Sequence, residues 1–121
     1  MKEFLFVGLG GAVGAMLRYG MSMVPVKSEF PYMTLLINFL GAIAIGILAA
    51  MSMRQSLLTE HSLLLLKTGV CGGFTTFSTF SNDGLILIKQ EFYGMFALYT
   101  LLSITLGVLA AFAGGAFGRC I

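Results

Sequence analysis

The chain has 121 residues, of which 58% are hydrophobic and only 10% are charged, and its formal net charge is +2. With a mean hydropathy of +0.97, this composition excludes a soluble globular domain and indicates an integral membrane protein. Its apolar stretches are close to the ~20 residues that a helix needs to cross a bilayer, whereas membrane β-barrel strands are about half as long. We therefore predict an all-α membrane protein.

Four apolar stretches follow one another along the chain, at about 4–24, 30–53, 62–88 and 92–117. Short loops join them, and no linker or low-complexity segment separates one from the next. We predict a single four-helix transmembrane domain over residues 1–121.

The first stretch follows Met1-Lys2-Glu3, and a positive start before a hydrophobic run is also typical of a cleaved signal peptide. We predict that it is retained, because no small-residue cleavage site of the A-x-A type follows and the run continues to Arg18. Small residues four apart favour close helix packing in lipid. Such pairs are Gly10 with Gly14, Ala42 with Gly46, and Gly114 with Gly118.

Asn38 is the polar outlier of the second stretch, which carries no charge. Its carboxamide both donates and accepts hydrogen bonds, so inside a bilayer it must face protein or water. Two interpretations stay open: a residue of a polar pathway, or an interhelical hydrogen bond that holds the bundle together.

The third stretch contains Lys67, a glycine pair and a run of hydroxyl and phenylalanine side chains. Each glycine weakens a helix by ~1 kcal/mol, and threonine side chains can bond nearby backbone groups, so we predict a break at Gly72-Gly73. Within a membrane such a break must be buried in protein or line a cavity, and it frees carbonyl oxygens that can coordinate Na⁺. The alternative for the glycine pair is a tight helix crossing.

The side chains after the glycine pair suit an ion pathway. Hydroxyls cost less than charges in a bilayer and can replace part of an ion's water, and phenylalanine has a positive ring edge that can face an anion. Phe77 and Phe80 are three apart and share a helix face, with the hydroxyls of Ser78, Thr79 and Ser81 between and beside them. Aromatic residues at this spacing are otherwise core or lipid-facing.

The fourth stretch is uncharged and contains a few hydroxyl side chains. Tyr99 and Ser103 are four apart on one helix face and form a candidate polar stripe. Alternatively, serine and threonine hydroxyls in this stretch bond their own backbone.

Basic residues are divided almost evenly between the two ends of the predicted bundle, so the positive-inside rule favours neither orientation. We predict insertion in both orientations, with two opposite copies pairing about an axis in the membrane plane, as inverted repeats do in transporters. A single orientation despite the weak bias is the alternative. The basic residues of one end are Lys2, Arg54 and Arg119, with Lys67 nearby, and those of the other end are Arg18, Lys27 and Lys89.

Over nearly its whole length the chain resembles the Fluc/CrcB family of fluoride channels. The resemblance rests on three blocks of sequence, of which the third is the most specific. They are GGAVGAMLRY at 10–19, TLLINFLG at 34–41 and CGGFTTFSTFS at 71–81.

The resemblance implies an antiparallel, dual-topology homodimer in the cell (inner) membrane, with two pores that export fluoride passively and without enzyme chemistry. It implies a structural Na⁺ at the dimer centre, held by the backbone carbonyls of Gly72 and Thr75. Arg18 matches the vestibule arginine of the family. The residues that match the fluoride pathway are Asn38, Thr76, Phe77, Thr79, Phe80, Ser81, Tyr99 and Ser103.

Two other classes of protein stay open. A proton-coupled exporter of the small multidrug type also has four spans, but it needs a carboxylate inside the membrane. Asp83 follows the hydroxyl run rather than lying in the first helix, and Glu3, Glu29, Glu60 and Glu91 lie at stretch ends or in loops. A non-transporting scaffold subunit would need only the glycine faces, and would leave Asn38 and a broken third helix unexplained.

Overall fold

The computed structural model describes residues 1–54 and 57–121, and all regular structure within those ranges is helical. Four spans are long and apolar enough to cross a membrane, which confirms the predicted number. These spans are Lys2–Ser22, Tyr32–Ser52, Glu60–Lys89 and Tyr93–Cys120. The first begins and ends two residues earlier than predicted.

Three of the spans are single α-helices, and the third is assembled from several pieces. The single helices are α1 (Lys2–Ser22), α2 (Tyr32–Ser52) and α6 (Tyr93–Cys120). The third span consists of α3 (Glu60–Leu63), a π-helix (Leu64–Cys71), α4 (Gly72–Phe74) and α5 (Phe77–Lys89). Thr59 begins it as an N-cap, because its side chain accepts a hydrogen bond from the Ser62 amide.

Helix α1 packs against residues 60–74 through glycines, with no room for side chains between the two backbones. A Cβ at Gly10 would overlap the Leu65 carbonyl oxygen, and a Cβ at Gly14 would lie 2.7 Å from the Phe74 amide nitrogen. On the facing segment, a Cβ at Gly69 would lie 2.7 Å from the Gly10 Cα. The predicted packing role of Gly10 and Gly14 is confirmed.

Helix α2 packs along α6, which is the most extensive helix contact of the fold. A Cβ at Gly46 would overlap the Ala111 carbonyl oxygen, and a Cβ at Gly118 would lie 2.7 Å from the Ile47 carbonyl oxygen. A Cβ at Gly114 would likewise overlap the Ile43 carbonyl oxygen. The bundle is therefore two glycine-packed helix pairs, α1 with residues 60–74 and α2 with α6.

The prediction that the helix breaks at Gly72-Gly73 is wrong in position. Gly72 has helical angles (φ −63°, ψ −39°), and both glycines belong to α4. A Cβ at Gly73 would overlap the Gly11 carbonyl oxygen, so that glycine permits a tight crossing with α1, the alternative left open above. The backbone is extended two residues later, at Thr75 (ψ 156°) and Thr76 (ψ 113°). A break at mid-membrane depth remains a prediction.

A small aromatic core joins α5 to α6 and to the segment before α2. The Tyr99 side chain is fully buried and packs edge-on against Phe30, with the ring centroids 5.7 Å apart. Leu87 completes this cluster, and Phe80 packs against it. The core therefore fixes α5 beside α6 just after the extended residues.

Candidate functional site

Asn38 forms a paired hydrogen bond with the backbone of Thr76. Its Nδ2 donates to the Thr76 carbonyl oxygen at 3.1 Å, and its Oδ1 accepts from the Thr76 amide at 2.8 Å. Thr76 caps α5, so its carbonyl also accepts the first hydrogen bond of that helix, but its amide lies in extended backbone and has no helical partner among the described residues. The carboxamide on α2 thus satisfies the Thr76 amide at the point where the third span loses its helical geometry.

The Thr76 side chain begins the next helix. Its Oγ1 accepts from the Thr79 amide at 3.1 Å and donates to the Thr79 hydroxyl at 3.1 Å. The Ser78 hydroxyl lies 3.2 Å away. Threonine at an N-cap commonly stabilises a helix start in this way. The hydroxyl of Ser81, in contrast, bonds the Phe77 carbonyl oxygen of its own helix and is exposed.

Arg18 reaches the same segment from α1. Its Nε donates to the Gly73 carbonyl oxygen at 3.2 Å, and the contact is half-buried. Gly73 belongs to α4, which ends at Phe74, so this carbonyl lies in the last turn of a helix, where carbonyls lack backbone partners. A cation there also interacts favourably with the helix dipole.

Two carbonyl oxygens of the segment lose their usual helical donors. The Thr76 amide would bond the Gly72 carbonyl in a continuous helix, but it donates to Asn38. The Thr79 amide would bond the Thr75 carbonyl, but it donates to the Thr76 hydroxyl. Gly72 is exposed, and a Cβ built there meets no other atom within 4 Å. Backbone oxygens in this state suit a hard cation such as Na⁺.

Side-chain metal ligands are not grouped in the same way. Within residues 1–54 and 57–121, no three His, Cys, Asp or Glu side chains lie together in a group that could hold a metal ion.

The two phenylalanines of the predicted pathway lie side by side but in different surroundings. Their ring centroids are 5.6 Å apart. Phe80 also contacts the buried Tyr99, with centroids 5.0 Å apart. Phe77 is 79% exposed. Phe80 thus packs against the core, and Phe77 projects away from it.

Two cavities meet at Thr76, which lines both. The first, here called the vestibule, measures about 400 Å³ and is lined by Arg18, Thr34, Thr76, Thr79 and Asp83 together with residues of the loop before α2. The second, here called the Phe77 groove, measures about 300 Å³. Its lining consists of Asn38, Thr75, Thr76, Phe77, Phe80, Ser103 and Ile104.

The predicted polar stripe on α6 divides between different environments. Ser103 lines the Phe77 groove, and its hydroxyl has no hydrogen-bond partner although it is buried. The Thr100 hydroxyl is likewise buried without a partner. Tyr99 is fully buried in the core and lines neither cavity. Its hydroxyl donates to Asp83 Oδ2 at 3.2 Å.

The polar residues of the vestibule that sequence reasoning missed include Asp83 and Thr34. Asp83 lies on α5, one turn beyond Thr79, and a helical projection of the hydroxyl run would have placed it on the same face. Thr34 is buried on α2, one turn before Asn38, and the same reasoning applies there. The predicted residues brought together around Thr76 are Arg18, Asn38, Thr75, Phe77, Thr79, Phe80 and Ser103. Ser81 and Tyr99 lie apart from both cavities.

Comparison with known proteins decides the family. The family model described as "CrcB-like protein, Camphor Resistance (CrcB)" matches residues 5–115. The chain belongs to the CrcB family. The matched range contains every site residue described above.

Curated relatives of this chain carry the name "Fluoride-specific ion channel FluC". One from Bacteroides fragilis is 42% identical over 98% of each chain. One from Methanococcus maripaludis is 44% identical over 86% of this chain and 85% of its own. One from Caulobacter sp. is 38% identical over 100% of this chain and 98% of its own. The likeness extends over nearly the full length of each protein.

Proposed function

We propose that this protein is a fluoride-selective channel that lets fluoride leave the cytoplasm passively across the cell (inner) membrane. The observation that carries the proposal is its 42% identity, over 98% of each chain, to a protein named as a fluoride-specific ion channel. The same likeness sets aside the multidrug exporter and the scaffold subunit. A channel performs no covalent chemistry, so the protein is not an enzyme.

The proposed path begins at Arg18 in the vestibule and passes Thr76 into the Phe77 groove. A small anion holds its water strongly, so a pathway must offer hydrogen-bond donors where that water is lost. The second N–H of the Asn38 amide and the unpaired Ser103 hydroxyl are such donors in the groove, and the Thr79 hydroxyl, which accepts from Thr76, is one in the vestibule. The ring edges of Phe77 and Phe80 add positive potential without adding a charge.

An antiparallel homodimer with two pores is part of the proposal. Its support is the even division of lysine and arginine between the two ends of the bundle, which gives little orientation bias. The 79% exposure of Phe77, a large apolar side chain beside the groove, is consistent with a surface that a second copy covers. Each copy would complete the wall of the Phe77 groove.

We also propose that the extended residues Thr75 and Thr76 break the third helix at mid-membrane depth, and that Na⁺ binds beside them. Gly72 and Thr75 would supply the carbonyl oxygens, because the amides that normally bond those oxygens donate to side chains instead. The Na⁺ ion would bind carbonyl oxygens from both copies and so link them. Two carbonyls from each copy would give four oxygen ligands.

Fluoride release from liposomes that contain the purified protein tests the proposed function. The proteoliposomes are loaded with fluoride or with chloride, and release is followed with ion-selective electrodes and compared with empty liposomes. We expect fast fluoride release and little chloride release. Release of neither ion from correctly folded protein, or equal release of both, would contradict the proposal.

Orientation is tested by adding two lysines to one end of the bundle. The added charges should fix one orientation and lower the activity of the variant expressed alone, because antiparallel pairs could no longer form. Co-expression with a variant biased in the opposite direction should restore activity. Full activity of either variant alone would contradict dual topology.

A further inference from the structure

The bond from Arg18 to Gly73 uses a particular atom of the side chain. The donor is Nε, the atom closest to the backbone in the guanidinium group, and it lies 3.2 Å from the Gly73 carbonyl oxygen. The outer nitrogens of the group remain for the vestibule that Arg18 also lines. One side chain therefore bonds the backbone of the third span and places positive charge beside the proposed path.

The segment that Arg18 bonds is held against α1 at several points. A Cβ at Gly73 would overlap the Gly11 carbonyl oxygen, and a Cβ at Gly14 would lie 2.7 Å from the Phe74 amide nitrogen. Arg18 lies one turn beyond Gly14 on the same helix. The position of α4 is thus fixed by close backbone packing and by one hydrogen bond at its last turn.

Asn38 bonds the other end of the same segment, at Thr76. Between Gly73 and Thr76 the chain changes from helical to extended geometry, and no backbone amide in the described residues donates to the Gly73 carbonyl. Side chains from α1 and α2 therefore supply hydrogen bonds that the backbone cannot supply there.

We infer that Arg18 is a positioning residue for the proposed fluoride path, acting through its Nε bond to the Gly73 carbonyl as well as through its charge. This inference rests on the proposed function. Loss of the bond would leave a partly buried carbonyl unpaired and let the residues between Gly73 and Thr76 move. Thr75, which is one of them, lines the Phe77 groove and is one of the two proposed cation ligands.

Two substitutions separate the bond from the charge. Arg18→Gln removes the charge but keeps an amide nitrogen at the same number of bonds from Cα as the arginine Nε. Arg18→Lys keeps the charge but has a carbon at that position, and its ammonium lies one atom further out. Lys27→Gln serves as the control, because it removes a positive charge from the neighbouring loop without touching Gly73.

The bond itself is read by magnetic resonance on the full-length protein in lipid. Labelling glycine with ¹³C at the carbonyl and phenylalanine with ¹⁵N gives one linked signal, because Gly-Phe occurs once in the sequence, at Gly73-Phe74. We expect that signal to move in Arg18→Lys and to stay in place in Arg18→Gln and Lys27→Gln. An unmoved signal in Arg18→Lys would overturn the inference.

Fluoride release from proteoliposomes provides the second measurement. We expect Arg18→Lys to release fluoride about tenfold more slowly than the unmodified protein, at low and high ionic strength alike, because the loss is one of geometry. Arg18→Gln should approach the unmodified rate at high ionic strength, where attraction by an exposed charge is screened. The reverse order, with Arg18→Lys the more active variant, would show that charge alone matters and overturn the inference.

Failure of the proposed function gives a different pattern. If the unmodified protein releases no fluoride, the channel assignment is wrong, and the inferred role in conduction falls with it. The Gly73-Phe74 signal would still decide whether Arg18 holds the backbone of α4.

Discussion

Two different kinds of contact hold the third span in this bundle, close glycine packing and side-chain hydrogen bonds. Residues 60–74 lie against α1 through glycines, where a single added carbon would overlap a backbone atom. At the end of that segment Arg18 bonds the Gly73 carbonyl, and two residues beyond the segment Asn38 bonds the backbone of Thr76. Close packing tolerates no extra volume, whereas the hydrogen-bonded segment tolerates no loss of a donor or acceptor.

The difference explains how one span can be both rigid and polar. Glycine packing needs no polar groups, so it suits the part of a helix that only has to be held in lipid. The extended residues have backbone groups without helical partners, and such groups persist in a membrane only where protein or water satisfies them. The polar chemistry of this chain therefore concentrates where the glycine contacts end.

The largest expected effect comes from filling the glycine contact. In Gly10→Ala the new carbon overlaps the Leu65 carbonyl oxygen, so we expect a loss of about 3 kcal/mol or more, or no folded protein. Gly8→Ala is the matched control, because a Cβ at Gly8 meets nothing within 4 Å. It should change stability by no more than about 1 kcal/mol. Unfolding of both variants in detergent measures the difference, and equal stabilities would contradict the packing account.

At the hydrogen-bonded segment, Asn38→Asp should reduce fluoride release by at least about tenfold, because it places a negative charge beside the path of an anion. Asn38→Leu removes the hydrogen bonds of the carboxamide without adding a charge, so it tests the structural role of Asn38 alone. It leaves the Thr76 amide unpaired, at a cost of about 1–3 kcal/mol, whereas the Thr76 carbonyl keeps its bond within α5. Release at the unmodified rate from Asn38→Asp would leave Asn38 as a packing residue only.

The two phenylalanines should respond differently in stability and alike in transport. Phe80→Ile removes a ring that contacts Tyr99, so we expect a loss of about 1–2 kcal/mol together with slower fluoride release. Phe77→Ile should slow fluoride release with a smaller loss in the free energy of unfolding, because the Phe77 ring is mostly exposed. Both are measured by release assays and by unfolding. Unchanged release in both variants would remove the ring-edge role.

The smallest effect is expected outside the membrane-spanning contacts, in the turn between α5 and α6. Glu91 has a positive φ of 63°, a conformation that costs a residue with a side chain about 1 kcal/mol and glycine much less. Glu91→Gly should raise the free energy of unfolding by up to about 1 kcal/mol. Glu29→Gly is the control at an exposed glutamate in another loop, and it should not stabilise. Equal effects would show that the turn is not strained.

The sequence predicted the spans and the small-residue contacts because both depend on local patterns of apolar and small residues. The position of the helix distortion was harder to predict. Gly72 and Gly73 weaken a helix in isolation, but here Gly73 is held in α4 by its contact with Gly11. The extended residues are Thr75 and Thr76, whose conformation depends on Asn38, 38 residues away in sequence. Such a partner cannot be identified from local propensity.

Site prediction had the same limit. Most residues around Thr76 belong to motifs and were predicted. Asp83 and Thr34 were missed, although each lies one turn from a predicted residue on the same helix face. Tyr99 was predicted in a polar stripe with Ser103, yet the structure buries it completely while Ser103 lines the groove. A four-residue spacing places two side chains on one face, but it does not determine what covers each of them.

A thiol-blocking experiment tests most directly whether fluoride passes through the Phe77 groove. In a background of Cys71→Ala and Cys120→Ser, a cysteine replaces either Ile104, an exposed residue of that groove, or Leu106, which lines a separate apolar groove with Phe39. The account predicts that a small water-soluble thiol reagent stops fluoride release in Ile104→Cys and leaves release in Leu106→Cys unaffected. If the reagent blocks release in Leu106→Cys while release continues in the modified Ile104→Cys protein, the account is contradicted.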